Sequence, residues 1–278
     1  MNQKKKKLPR VIAYVFLVFC CLFTLLPLTL ITMISLRTRE GLIREGTFAI
    51  PEVWEWGNYV EAWVVGNFSQ YFINSVIIST LTVSGIVLFS LLAAYALSTM
   101  NFRGRRVVII LIMIGLVLPV ESVIIALFQN MRTMGLIDTH WSVVFPQISI
   151  SLAFGIFLLS GFIKDIPTSV LEAARIDGSN KMQSLVHIVT PLIVPALVSL
   201  IIFAFIGSWN AYFLPNVMLR SDAMRTLPLG LDFFRGKNSI NIPLTAAASN
   251  LMALPVMMVY FAFHRKMIRG MTVGAVKE

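Results

Sequence analysis

The sequence predicts an all-α polytopic membrane protein with six transmembrane helices, and three observations carry that prediction. Hydrophobic residues make up 57% of the chain and charged residues 13%, whereas soluble domains are roughly a quarter charged. Uncharged runs cover 11–36, 62–102, 141–163, 188–219 and 238–263, and a further run, 107–131, is broken only by Glu121; a spanning helix needs about 20 such residues. The third observation is where the positive charges fall. With both termini cytoplasmic, the inner segments hold Lys4 to Lys7, Arg10, Arg103, Arg105, Arg106, Lys164, Arg175, Lys181, Arg265, Lys266, Arg269 and Lys277 against the acids Asp165, Glu172, Asp177 and Glu278. The outer segments balance, so the net charge of +10 is a positive-inside signal and argues against nucleic-acid binding.

The elements follow in order as one transmembrane domain, 1–278, with spans at about 11–36, 72–100, 107–128, 142–163, 185–206 and 243–263. The first span is too long for a secretory signal and has no small-residue cleavage site, so it is expected to stay as an uncleaved helix, kinked at Pro27. Cys20 and Cys21 are adjacent inside it and face different directions, which leaves them as apolar filler. The outer segment 37–70 carries Trp54, Trp56, Tyr59 and Trp63, aromatic residues that settle at a membrane interface, and predicts a short amphipathic element there. Span two is rich in small and hydroxylated residues, among them Ser75, Ser79, Thr82, Gly85, Ser90 and Ala94, and reads as a packing helix.

Span three contains Glu121. An intramembrane carboxylate is a functional-site hypothesis; the alternative is that it reaches the outer interface or pairs with Arg132. Other polar residues in or beside spans, Asn74, Gln147, Trp209, Asn210 and Asn250, join Glu121 as substrate-pathway candidates, each with interhelix hydrogen bonding or packing as its plain alternative. His140, His187 and His264 lie too far apart for a metal site, no nucleophile–base constellation is present, and there is no G-x-x-x-x-G-K-[ST] phosphate loop. The cytoplasmic tail 264–278 is basic and then unpatterned, and is expected to need a partner to be ordered.

The loop 164–184, between spans four and five, holds the most specific pattern. Ser169 and Glu172 have capping-box spacing, Leu171, Ala173 and Ala174 give a narrow surface, and Gly178 supplies a left-handed stop. The helix so specified has about two turns, too few to be stable alone in water, so it must dock. A plain loop resting on lipid headgroups is the competing reading.

Glu172-Ala173-Ala174, three residues, Gly178, nine residues, Ile188, one residue, Thr190 and Pro191 resemble the EAA signature of ATP-binding cassette (ABC) importer permeases. Further matches are Tyr71-Phe72-Ile73-Asn74-Ser75, Ala93-Ala94-Tyr95-Ala96-Leu97, Phe102-Arg103-Gly104-Arg105, Trp209-Asn210 and the ending 269–277. Together they resemble the shorter permease of carbohydrate importers of the maltose-transporter type, over residues 58 to 278. Thr190 stands where leucine is usual and is expected to cap the helix that starts at Pro191.

The resemblance implies a non-catalytic permease subunit in a bacterial inner membrane, importing a sugar, oligosaccharide or polyol. It implies that Ser169, Leu171, Glu172, Ala173, Ala174, Asp177 and Gly178 form a coupling helix seated in a cytoplasmic ATPase. Gly270, Gly274 and Lys277 would be further ATPase contacts. The implied partners are a second, homologous permease, an ATPase dimer, a solute-binding protein and membrane lipid, with ATP and Mg bound by the ATPase and no cofactor in this chain. The competing functions are an ion-coupled secondary transporter, expected to show paired embedded charges and inverted repeats, an ABC importer for a non-sugar solute, and a membrane enzyme.

Overall fold

A computed structural model of the protein describes residues 7–234 and 241–275, with side chains over 12–234 and 241–265. The chain forms α1 (Lys7–Ser35), α2 (Arg39–Glu45), α3 (Gly57–Val65), α4 (Phe68–Thr99), α5 (Arg105–Val117), α6 (Val120–Thr133), α7 (Trp141–Lys164) and α8 (Thr168–Ile176). It continues through α9 (Lys181–Ser184), a π-helical turn (Leu185–Val189), α10 (Thr190–Leu192), α11 (Val194–Trp209), α12 (Phe213–Met218), α13 (Leu227–Gly230) and α14 (Ile242–Ala275), with two 3₁₀ turns flanking α13. Ile12–Ser35, Phe68–Thr99, Trp141–Lys164 and Ile242–Arg265 are long and apolar enough to cross a membrane, and two bent pairs bring the number to six when each pair is one span. This is the all-α polytopic fold expected.

Both bent pairs depart from the straight helices anticipated for spans three and five. α5 and α6 meet at 106°, where Leu118 and Pro119 are extended. The Pro119 ring disfavours helical backbone at Leu118, which ends α5 there. The stretch Lys181–Leu192 meets α11 at 81°, pivoting on Ile193. Pro195, in the first turn of α11, has no N–H to continue the ladder back to the preceding turn. The third departure is the tail, where α14 runs on to Ala275; Lys4 to Lys6, Lys277 and Glu278 lie outside the described residues.

By packing, the chain divides into two units, Met1–Phe68 with Gly230–Leu254, and Ser69–Leu229 with Pro255–Glu278. In the first, none of the most apolar window of α1 is buried, as suits a helix facing lipid or a partner. Its C-terminal end is tied by polar groups. The Asn58 amide donates to the carbonyls of Ser35 (2.9 Å) and Arg37 (2.8 Å), Ser35 and Tyr59 share a hydroxyl bond of 2.7 Å, and Asn250 donates to Tyr59 Oη at 3.0 Å. The segment 37–70 contains two short helices, α2 and α3, with Trp54 and Trp56 exposed.

In the second unit, α4 is the packing helix its composition predicts: Ser75, Ser79, Thr82, Ser90 and Ala94 are all buried. Small side chains let α4, α7 and α11 meet around Ile86, Leu159, Ile193 and Leu200. A second cluster, Ile78, Val143, Val144, Leu214 and Met218, lies toward the N-terminal end of α7.

At that end Asp138 holds two loops together. Its backbone is left-handed, φ 64, and its Oδ1 accepts from the N–H of Arg220 (2.8 Å), the N–H of Ser221 (3.0 Å) and the Ser221 hydroxyl (3.1 Å). The Ser221 N–H above all, against the opposing effect of burial, holds its carboxyl below the usual 3.8. Nearby His140 meets Asn74 Oδ1 at 3.0 Å, and burial holds its imidazole below 6.5 and therefore neutral near pH 7.

The carboxylate's contribution is present above its unfolded pKa and is lost as pH falls through the lower folded value. Asp138→Asn keeps the left-handed backbone but removes the charge. It is expected to melt a few degrees below wild type at pH 7, with the gap closing as pH falls below 3.8. A gap unchanged by pH would show that the charge contributes nothing.

Candidate functional site

α8 and its flanks form the most specialised surface of the second unit. Pro167 stands at the N-cap with φ −56 and ψ 134 and makes no side-chain cap, and Thr168 is already helical. Ser169 therefore lies inside the first turn, and the expected Ser169–Glu172 capping box does not form. Pro167 has a fixed φ, so it sets the entry of the chain one step earlier than the serine would. The box that does form belongs to the next helix: Asn180 Oδ1 accepts from Gln183 N–H and Gln183 Oε1 from Asn180 N–H, both at 2.9 Å.

The C-terminal stop is as expected. Gly178 has φ 84, its N–H donates to Arg175 O at 3.1 Å, and Ser179 N–H donates to Ala174 O at 2.9 Å. These two bonds are the Schellman pair, which satisfies carbonyls the helix would otherwise leave open. Ala174 is buried and Leu171 half-buried, anchoring α8 to its unit, while Ser169, Glu172, Ala173, Asp177 and Gly178 are exposed. Ile176 is 87% exposed and was not singled out from the sequence. Its signal there is one large apolar residue in the last turn of a short polar helix. With Val170, Met182 and Val186 also exposed, this loop presents four large apolar side chains outward.

Beyond the loop, Thr190 is not the cap that was expected. It follows the π-helical turn directly, and both its N–H and its hydroxyl donate to Leu185 O, the latter at 2.8 Å. The wider turn precedes Pro191, which cannot donate into a regular helix.

The polar residues of the spans are sorted by their partners. Gln147, 7% exposed, joins three helices: its Oε1 accepts from Thr82 of α4 at 3.1 Å and from Ser208 of α11 at 2.7 Å. Its Nε2 is buried without a partner. Gln147, Thr82, Ser151, Gly207, Ser208 and Tyr212 line a cleft of about 270 Å³.

The other candidates do not join it there. Asn74 donates to the carbonyls of Ala223 (2.8 Å) and Arg225 (2.9 Å) and accepts from Gln70 (3.3 Å), besides its contact with His140, so its hydrogen-bonding capacity is used in bracing the 222–226 segment. Trp209 is 1% exposed, edge-on to Phe72 and stacked on Phe205. Asn210 is the exposed C-cap of α11, and Asn250 bonds within the first unit. Glu121 is exposed in the first turn of α6, where the helix dipole favours a carboxylate. Arg132, in the last turn, is about 16 Å away along the axis and cannot pair with it. Gly270 and Gly274 fall on the final turns of α14, and Lys277 lies outside the described residues.

Comparison with known proteins places these features in a family context. Residues 86–273 match the family described as binding-protein-dependent transport system inner membrane component, a segment that contains α7, α8 and α11. The chain is 33% identical to the arabinooligosaccharides transport system permease protein AraQ of Halalkalibacterium halodurans, over 96% of this chain and 95% of that one. It is 28% identical to the diacetylchitobiose uptake system permease protein NgcG of Streptomyces coelicolor, over 95% and 87% respectively. Among solved structures, a bacterial ABC transporter involved in import of the acidic polysaccharide alginate superposes with a TM-score of 0.83 at 25% identity, over 95% of this chain and 98% of that one. The inward-facing MetNI methionine ABC transporter shares the fold at 16% identity, with a TM-score of 0.60 over 73% of this chain and 95% of that one.

Proposed function

The chain belongs to the family of inner-membrane components of binding-protein-dependent transport systems, and from that membership we propose that it forms half of the translocation pathway of an ATP-driven importer for a sugar, oligosaccharide or polyol. The observation that carries this reading is α8: a short helix closed by a glycine stop, anchored through Ala174 and presenting Ile176 outward, inside the matched segment. Charge placement supports cytoplasmic termini and a cytoplasmic α8. On that side α8 would seat in an ATPase subunit, with Glu172 and Asp177 available to basic groups and Ala173 allowing close approach.

Closure of an ATPase dimer on ATP would displace α8. Because α8 lies between α7 and the bent stretch leading to α11, both helices would move with it. Gln147 bonds to Ser208 across α7 and α11, so the cleft they line would change as access switches. ATP and Mg would be bound by the ATPase, since this chain has no phosphate loop. The carbohydrate assignment rests on the relatives named for transport of arabinooligosaccharides and uptake of diacetylchitobiose, and on the few amide and hydroxyl groups set into an otherwise apolar cleft, which would orient a neutral hydroxylated solute. A second permease and a solute-binding protein complete the assembly.

Purification of the tagged chain from its own membrane tests the reading. An ATPase and a second permease are expected to copurify, and oligosaccharide uptake into vesicles should require ATP. Solute transport by this chain alone in liposomes would overturn it.

A further inference from the structure

Two cavities meet at Lys164, the last residue of α7. One is an apolar groove of about 290 Å³ lined by Leu97, Ile109, Ile112, Met113, Ile156 and Phe157 together with Ser160. The other is a polar pocket of about 270 Å³, lined by Ser98, Thr99, Thr168, Glu172 and Arg175 with the side of Leu171. Lys164 lines both, and Leu97 in one is followed by Ser98 in the other, so the two cavities adjoin. Arg105 stands at the same place, its Nε donating to Leu97 O at 2.8 Å. Two cations, Lys164 and Arg175, therefore line a junction where Glu172 is the acidic lining residue. The groove's walls are apolar along α4, α5 and α7, the lining a hydrocarbon chain requires.

We propose that this junction holds one anionic phospholipid, with an acyl chain in the groove between α4, α5 and α7 and the phosphate between Lys164 and Arg175 beneath α8. The chemistry of each half points to the same molecule. Phe157 and Met113 are exposed apolar walls, Phe157 about two turns before Lys164 along α7, and the basic rim sits at the C-terminal end of that apolar helix. Basic pockets between transmembrane helices at such a boundary bind anionic headgroups. Because Arg175 belongs to α8, the lipid bridges that helix to the spanning bundle. The inference does not depend on what the protein transports.

Native mass spectrometry of the full chain in mild detergent, titrated with phosphatidylglycerol or phosphatidylcholine, tests it. One phosphatidylglycerol is expected to be retained in preference to phosphatidylcholine. Lys164→Gln and Arg175→Gln are each expected to weaken retention about fivefold, while Lys164→Arg retains it. Met113→Trp, which fills the groove and leaves the charges, should also weaken retention. Equal retention of the two lipids, or unchanged phosphatidylglycerol retention by the doubly substituted chain, overturns the site. So does a self-associated form that excludes lipid, since a second copy would then cover the groove.

Discussion

Replacing Gly178 with leucine is expected to lower ATP-driven uptake by more than about tenfold, an effect of the size expected from roughly 1–2 kcal/mol of left-handed backbone strain plus a blocked contact. The amount of protein in the membrane should stay near that of wild type. A Cβ at Gly178 meets no atom of this chain within 4 Å, so no internal clash follows. The φ of 84 is, however, one that L side chains resist, and loss of it would undo the Schellman pair and release the end of α8. Gly178→Asn separates the two contributions, because asparagine tolerates this region while still adding bulk. Uptake by the asparagine variant is expected to fall between wild type and the leucine variant. Normal uptake by Gly178→Leu would remove α8 from the coupling path.

Gly155→Leu is expected to destabilise the second unit by about 3 kcal/mol as an overpacked core. A Cβ at this position would lie 2.1 Å from Ser90 Oγ and 2.9 Å from Ser90 Cβ, with Leu200 Cδ1 at 3.4 Å. α4, α7 and α11 meet there with nothing but hydrogen on the α7 side, the close approach that small residues permit between membrane helices. Even Gly155→Ala must displace Ser90. Thermal melting in detergent should therefore show Gly155→Ala below wild type, and the pair Gly155→Ala with Ser90→Gly recovering most of the loss, a coupling that additive effects cannot produce. Wild-type melting by Gly155→Leu would show that the helices are not packed this closely.

The residues of this site differed in how far they could be read locally. Gly178 was legible because a helix stop at positive φ is decided by a few neighbouring residues and by the absence of a Cβ. Ser169 was misread for a related reason: its spacing to Glu172 is correct for a capping box, but Pro167 starts the helix before it. Asn74 and Gln147 look alike in the sequence, each a lone amide in an apolar run. Only the structure separates them, since Asn74 is fully hydrogen-bonded to the 222–226 segment and His140 while Gln147 lines a cleft with its Nε2 unpaired. Ile176 was missed because exposure is a property of what does not pack against it.

By itself, then, the sequence determined the all-α membrane fold class, the apolar runs with charge at their ends and the glycine-closed helix between α7 and the bent stretch before α11. Each of these follows from rules that act within one run or one turn: transfer of apolar side chains to lipid, the cost of charge in the bilayer, and backbone sterics. The tertiary structure alone decided which polar side chains face a cleft, how sharply the chain bends at Pro119 and at Ile193, and how closely α4 and α7 approach at Gly155. Those depend on three helices meeting at once, so that a hydroxyl on one and a missing side chain on another settle a distance that neither specifies alone.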